Sequence, residues 1–312
     1  MPGAAPVAGR PDDALDQALR DGARRLTAAG IDSARTDVEI LAAHLLGLPR
    51  GQVAIAAVLG RPAPPGLAEL VERRARRVPI QHLTGTAGFR GLDLAVGQGV
   101  FVPRPETEQV AEVAIKAAQK RLEDRGAVTV VDLCTGSGAI ALAVAHEVPG
   151  AAVHAVELDA TAYAWACRNV ERLAGALPPV DLRRGDARTA FGDLDGTVDV
   201  VVSNPPYIPP DAVPLDPEVR DHDPAVALYG LGTDGLTVPR GVVHAAARLL
   251  RPGGVLVMEH AEVQAATLRS FAEATGLFRT VRTRQDLAGR DRMLVAERMG
   301  GRRGPDVKDS RP

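Results

Sequence analysis

Apolar residues recur at helical spacing through the first quarter of the chain, then give way to short apolar runs that alternate with glycine turns and further helices. Ala14, Leu15, Ala18, Leu19 and Leu26 share one face and predict a helix ending near Gly30. Ala34, Val38, Leu41, Ala42 and Leu45 predict a second over residues 33–46, closed by Gly47. A shorter helix over 53–59, a Pro/Gly loop over 60–66 and a helix over 67–78 complete a helical domain spanning residues 13–84. Its last helix ends in Arg73, Arg74, Arg76 and Arg77, which read either as a solvated face or as a contact surface for an acidic partner or RNA. Strands at 92–96 and 100–102, turned by Gly97-Gln98-Gly99, predict a β-hairpin in a linker over 85–102.

From residue 103 to 298 the pattern becomes that of an open α/β sheet, the expected catalytic domain. A helix over 107–123 carries a stripe of Val110, Val113, Ala114 and Ala117. Apolar runs at 128–133, 152–156, 180–183, 199–202 and 253–259 predict strands, followed by a strand around Val281 and a last one over 292–297. Residues 210–233 carry few helix signals and many Asp and Pro, the mark of a functional or mobile loop. The Pro/Gly/Ala-rich residues 1–12 predict disorder, and the Arg/Gly-rich residues 299–312 a flexible tail.

Composition narrows the function classes. A formal charge of −2 over 312 residues gives no broad basic field, so stable nucleic-acid binding is not expected. Two cysteines far apart, Cys134 and Cys167, fit a reducing compartment and no thiolate metal cluster. The first residues do not read as a signal peptide, and no apolar run reaches spanning length; a cytoplasmic monomer away from membranes is expected.

The chemistry concentrates at the predicted strand ends. Ser203-Asn204-Pro205-Pro206-Tyr207 leaves the carboxyl end of the strand at 199–202, where open α/β sheets hold ligands. Taken alone it reads either as a proline-stiffened turn or as an acceptor-rich corner. In the second reading Asn204 Oδ1 and the Pro205 carbonyl accept hydrogens from an N–H2 group, while Tyr207 lies on its plane and Pro206 stiffens the loop. Upstream, Asp132-Leu133-Cys134-Thr135-Gly136-Ser137-Gly138 is a strand end and a glycine turn without the lysine of a phosphate-binding loop. An acid at its start disfavours a pyrophosphate and suits an α-amino group. Glu157 ends the next strand, placed to accept from ribose hydroxyls, with Asp159 as a competing acid or a helix cap; Asp186 follows the third, placed to accept from an adenine amine. This ordered set of acids suggests S-adenosylmethionine, with Thr135, Gly136, Gly138 and Asn204 completing its site. Pro103-Arg104-Pro105-Glu106-Thr107-Glu108 is either a helix-start device or a site edge offering Arg104 and Glu106. His260 reads as a structural histidine or a general base.

Together, residues 103–108, 132–138 and 204–207 behind a helical N-terminal domain resemble the HemK/PrmC family of protein-glutamine N5-methyltransferases, with Asp234-Gly235-Leu236 and Glu259-His260 at the matching places. The resemblance covers residues 14–297 and implies a class I methyltransferase fold: a seven-stranded, mostly parallel sheet whose last strand is antiparallel, joined to a helical bundle by a β-hairpin. It also implies methyl transfer from S-adenosylmethionine, leaving S-adenosylhomocysteine, to the Gly-Gly-Gln glutamine of bacterial class I peptide-chain release factors, with no metal. Carried onto this chain, Asp132 and Gly136 take the methionine end, Glu157 the ribose, Asp186 the adenine, and Asn204, Pro205 and Tyr207 the catalytic loop. Departures are Glu157 for a common Asp, Ala261 for Gly, Asp223 before Pro224 for Glu, and Arg90 for a second aromatic. Two other classes stay open: a nucleic-acid amino methyltransferase acting on adenine N6 or guanine N2, and a non-catalytic translation-factor binding module.

Overall fold

The computed structural model describes residues 14–300, so the segment expected to be disordered at 1–12 and the tail beyond residue 300 lie outside it. Contacts divide the chain into two units. One holds the described residues up to Thr86 together with Pro214–His222, and the other holds Ala87–Val213 and the described chain from Asp223 onward.

The first unit contains α1 (Leu15–Ala28), α2 (Ala34–Leu46), α3 (Arg50–Val58), α4 (Leu67–Ala75) and the short α5 (Ile80–Thr84). Leu15, Leu19 and Leu26 of α1 meet Val38 and Leu41 of α2, Val53 of α3, and Leu67 and Val71 of α4 in one core. Each such burial contributes about 1.5–3 kcal/mol relative to exposure. Gly22 allows the helices to approach, because a Cβ there would stand 3.0 Å from both Val38 methyls. Arg74 is part of this packing. It is buried on α4 beside Leu67 and Val71, and its guanidinium bonds Asp37 and Glu218, while Arg77 bonds Glu218 and the Gly30 carbonyl. Half of the arginine cluster is thus consumed internally, by an acid on a segment that the sequence had placed in the catalytic domain.

The hairpin lies earlier than expected. β1 (Thr86–Phe89) pairs with β2 (Leu92–Ala95), and residues 100–102 form no strand. The turn is Arg90-Gly91, with φ of 46° and 78°, the pair of positive values that a two-residue primed turn requires. Gly97 and Gly99 instead give room to the helix over Ala160–Leu173: an added Cβ would meet the Trp165 ring and the Thr161 methyl, each at 2.6 Å. Val96, Val100 and Val102 pack there with Ala162.

The second unit continues through α6 (Pro105–Arg125), β3 (Val128–Leu133), α7 (Ala139–Glu147), β4 (Ala151–Glu157), α8 (Ala160–Leu173), β5 (Val180–Arg184) and β6 (Val198–Ser203). Then come α9 (Pro217–His222, in the first unit), α10 (Ala225–Leu228), α11 (Thr237–Leu249), β7 (Leu250–Glu259), α12 (Ala265–Ala274), β8 (Phe278–Gln285) and β9 (Asp291–Arg298). The stretch at 210–233 therefore holds two short helices rather than an unstructured loop. The seven-stranded sheet runs β5-β4-β3-β6-β7-β9-β8, with β9 antiparallel to both neighbours and every other pair parallel. Alternate residues of the central strands enter two cores, Val128 and Val130 on the face shared with α6 and α7, Val131 and Leu133 on the face shared with α11 and α12. From β3 the chain steps one way to β4, while β6 flanks its other side, so the strand order reverses at the carboxyl ends of β3 and β6. That is the crevice where open α/β sheets bind ligands. Among the described residues no single helix is long and apolar enough to cross a membrane.

Candidate active site

The turn after β3 is built for close approach. Cys134, Gly136 and Gly138 all take positive φ, at 62°, 58° and 86°, and a Cβ on Gly136 would meet nothing within 4 Å. Asp132, fully buried near the end of β3, holds this turn with one oxygen: Oδ2 accepts from Thr135 Oγ1 at 2.6 Å and from the Ala141 amide at 3.1 Å. Its Oδ1 is buried without a protein partner. Burial pushes the carboxyl up to about 7 against the pull of those two donors, so a cationic group reaching Oδ1 would be strongly favoured.

Glu157, at the end of β4, lies beneath the same turn. Its oxygens accept from the Gly136 amide at 2.8 Å and the Asp159 amide at 2.9 Å. Burial raises its carboxyl above the ordinary range and these amides pull it back. Asp159 is the cap of α8, its Oδ1 accepting from the Thr161 and Ala162 amides, which accounts for that acid without a ligand. Asp186 after β5 is engaged by Arg188, through the backbone amide at 2.9 Å and the guanidinium at 2.5–3.0 Å, and this pairing holds its carboxyl below the usual range. An adenine amine would compete with Arg188 for it. The open space over Gly136 and the orphaned oxygen of Asp132 fit the aminoacyl end of S-adenosylmethionine. Thr135, Gly138 and Glu157 shape the same turn.

After β6, Tyr207 directly and Asn204 through Thr107 are linked to a buried acid that the sequence reading had not given a role. Glu259, at the end of β7 and 4% exposed, accepts from Thr107 Oγ1 at 2.8 Å on Oε2 and from Tyr207 Oη at 3.3 Å on Oε1. Thr107 in turn accepts from Asn204 Nδ2 at 3.2 Å. Burial first, and the Glu259 charge second, raise the Tyr207 phenol far above its ordinary value, so it stays a hydrogen-bond donor. The loop backbone is braced as well: the Tyr207 and Ile208 amides donate to the Leu228 carbonyl, and Gln264 Nε2 donates to the Tyr207 carbonyl at 2.7 Å. Gly230 and Gly235 admit this path, since a Cβ on Gly230 would stand 2.7 Å from the Pro206 carbonyl and one on Gly235 2.5 Å from that of Tyr207. Pro205 is buried, and Pro206 partly so.

The start of α6 touches Asn204 through Thr107, a residue that the sequence reading had not singled out. Pro105 takes the first helical position, and Arg104 Nη2 bonds Asp223 at 2.7 Å with its guanidinium over the Phe101 ring. Glu106 faces Arg290 at 3.8 Å. Thr107, between them and Glu108 in sequence, is the one that touches Asn204. Asn169 was also missed. It ties β2 to the glycine turn, donating to the Ala95 and Ser137 carbonyls and accepting from the Ala95 amide. The available signal was its helical phase with Ala162 and Ala166, the buried face of α8. His260 is fully buried, with Nδ1 2.9 Å from the Ala261 carbonyl, and burial holds its ring below the ordinary value, in the neutral form.

The chain is similar to known proteins along most of its length. Residues 17–85 match the family model described as PrmC N-terminal domain, and residues 91–215 that described as Methyltransferase small domain. A release factor glutamine methyltransferase of Streptomyces coelicolor is 50% identical over 277 residues, covering 88% of this chain and 95% of the relative. A 4-amino-L-phenylalanine/4-methylamino-L-phenylalanine methyltransferase of Streptomyces pristinaespiralis is 44% identical over 266 residues, covering 84% and 88%. A methyltransferase structure from Pyrococcus furiosus superposes with a TM-score of 0.50 at 21% identity over 74% of this chain and 99% of that one, a likeness of fold. Since the likeness runs through the helical and the sheet-forming parts alike, the chain belongs to the HemK/PrmC family of release factor glutamine methyltransferases, enzymes that use S-adenosylmethionine.

Proposed function

We propose that this protein methylates the N5 side-chain amide of the glutamine in the Gly-Gly-Gln motif of bacterial class I release factors. The observation that carries the reading is the state of Asn204. Its amide nitrogen is committed to Thr107, which leaves Oδ1 as the group offered to an incoming N–H2. Bound S-adenosylmethionine supplies the methyl group on a sulfonium, already an electrophile. The protein's part is to orient a weak nucleophile. Asn204 Oδ1 and the Pro205 carbonyl accept the two N–H bonds, which aims the nitrogen lone pair and stabilises positive charge as it grows there. Tyr207, held by its hydroxyl, offers a fixed ring to the amide plane. The proton leaves after transfer, when the nitrogen is cationic, so no strong base is required. Asp132, Thr135, Gly136, Gly138 and Glu157 hold the methyl donor, with Asp186 toward its adenine; Arg104 and Glu106 stand at the edge.

The acceptor corner would serve any planar N–H2, and the relative acting on an aryl amine gives that alternative a specific form. Release factor is favoured by the seven relatives of 42–50% identity that carry that name. The test is to incubate the protein with labelled S-adenosylmethionine and purified release factor, and to locate the label by mass spectrometry. Controls are a factor with the Gly-Gly-Gln glutamine replaced, 4-aminophenylalanine, DNA and RNA. Label on that glutamine is expected; label on the free amino acid or on nucleic acid alone would refute the assignment.

A further inference from the structure

We propose that Glu259 is a positioning residue that fixes which way the Asn204 carboxamide faces, acting through Thr107. With Glu259 ionised, the proton count requires it. An ionised carboxylate only accepts, and a threonine hydroxyl has a single hydrogen. Thr107 Oγ1 lies 2.8 Å from Glu259 Oε2, so it spends that hydrogen on Glu259. Towards Asn204, 3.2 Å away, it can then only accept, and Asn204 must present Nδ2 to it. The carboxamide oxygen is thereby turned to the opposite side. Without Glu259 the hydroxyl is free to donate to Oδ1, and the carboxamide can sit reversed, setting an N–H2 against the N–H2 of the acceptor substrate. Glu259 spends its other oxygen on the Tyr207 hydroxyl at 3.3 Å. One buried acid, on a different strand from the loop it serves, therefore aligns both side chains that face the reacting nitrogen. The inference rests on the acceptor role of Asn204 but not on which N–H2 compound is the substrate.

Burial raises the Glu259 carboxyl to about 7 against the groups that face it, so the ionised acceptor state is the populated one above about pH 7. Arg292 on β9 contributes a favourable charge, opposed by Glu106 at the start of α6, and Thr107 and Tyr207 supply hydrogen bonds. Thr107 is itself 5% exposed, so no water is needed to complete the chain of donors.

Four variants separate the possibilities, each assayed with the acceptor that the unaltered protein labels, release factor or 4-aminophenylalanine, and each checked for S-adenosylmethionine affinity by titration. Thr107→Val keeps the shape and removes the hydroxyl; kcat is expected to fall roughly ten- to a hundredfold, with donor affinity within about twofold of the parent. Thr107→Ser restores the hydroxyl and most of the rate. Glu259→Met, of similar volume and without an acceptor, reproduces the loss from the other end of the relay and covers the case in which Thr107→Val folds poorly. Asn204→Ala sets the floor. Parental kcat in Thr107→Val or Glu259→Met while Asn204→Ala is slow overturns the relay and leaves the acceptor role standing. Equal slowness of Thr107→Val and Thr107→Ser overturns it in favour of a packing role. Parental kcat in Asn204→Ala overturns both the relay and the reading beneath it.

Discussion

Replacing Glu218 by Gln is expected to destabilise the helical unit by about 3 kcal/mol at neutral pH. Arg74 Nη1 and Arg77 Nη2 each approach Glu218 at 2.7 Å, and Arg74 Nε approaches Asp37 at 2.7 Å, with side-chain exposures of 8%, 25%, 11% and 6% for Arg74, Arg77, Glu218 and Asp37. The four formal charges cancel, so removing one acid leaves a buried excess cation. Burial pushes Glu218 up, but Asp216, Arg74 and Arg77 outweigh it and hold the carboxyl near 2, against an ordinary 4.5. A difference of that size corresponds to about 3 kcal/mol, in line with the roughly 3–5 kcal/mol lost when a buried pair is broken by removing one partner. Because the folded value is depressed, the stabilisation is present in full above about 4.5 and is lost as pH falls toward 2. The assay is urea unfolding followed by circular dichroism at pH 7 and at stepped pH down to 3, beside trypsin cleavage after the exposed Arg220 of α9. The variant should show a lower midpoint, a flatter acid limb and faster cleavage at Arg220. A midpoint unchanged at pH 7, within about 0.5 kcal/mol, would show that these ions behave as screened surface charges and refute the reasoning.

Three further outcomes follow from the catalytic unit. Asn204→Ala should lower kcat by roughly a hundredfold or more, as loss of an oriented catalytic hydrogen bond does, and leave donor affinity intact; an equal loss of donor binding by titration would sink its assignment. Glu157→Ala should act first on the donor, since it removes the carboxylate that holds the Gly136 amide; isothermal titration with unchanged affinity would count against it. Glu259, raised by burial to about 7, makes stability fall as pH rises from about 4.5 through 7, and Asp132, also raised to about 7, adds in the same direction. Glu259→Gln should therefore be less destabilised at pH 8 than the parent relative to each protein's own stability at pH 5, by up to about 3 kcal/mol, read from urea midpoints at the two pH values.

The parts of the fold legible in the sequence are those whose signals are local. The β3 strand, its glycine turn and α7 lie within twenty consecutive residues, and period, breakers and acid are all visible there. The hairpin was misplaced because Gly97 and Gly99 carry the same letters as a turn but serve as clearance for Trp165 and Thr161, more than sixty residues away. The relay is illegible for the same reason: Thr107 and Glu259 are separated by 152 positions and each is unremarkable alone. Neither a period nor a motif encodes a contact between elements that only the fold brings together.

The arginine cluster is a different case, because its correct reading was latent in the pattern. Leu67, Val71 and Arg74 stand at i, i+4 and i+7, one face of α4, and that face is buried. On α2, Asp37 stands beside Val38 and one turn before Leu41, again on the buried side. A charge at a core position costs several kcal/mol unless it is paired, so an arginine and an acid both occurring in phase with leucines and valines of neighbouring helices imply each other. Arg73 and Arg76 lie out of that phase. Counting four arginines in five positions treats them alike, whereas helical phase separates Arg74, which must find acids inside, from neighbours that need none. What phase does not supply is the second acid: a guanidinium with two buried edges needs two acceptors, and Glu218 arrives from 144 residues downstream, directly after the loop that carries Asn204 and Tyr207. The position of that acid makes residues 214–222 part of the helical unit, so a substitution in α4 alters the packing of a segment that sequence order alone assigns to the other unit.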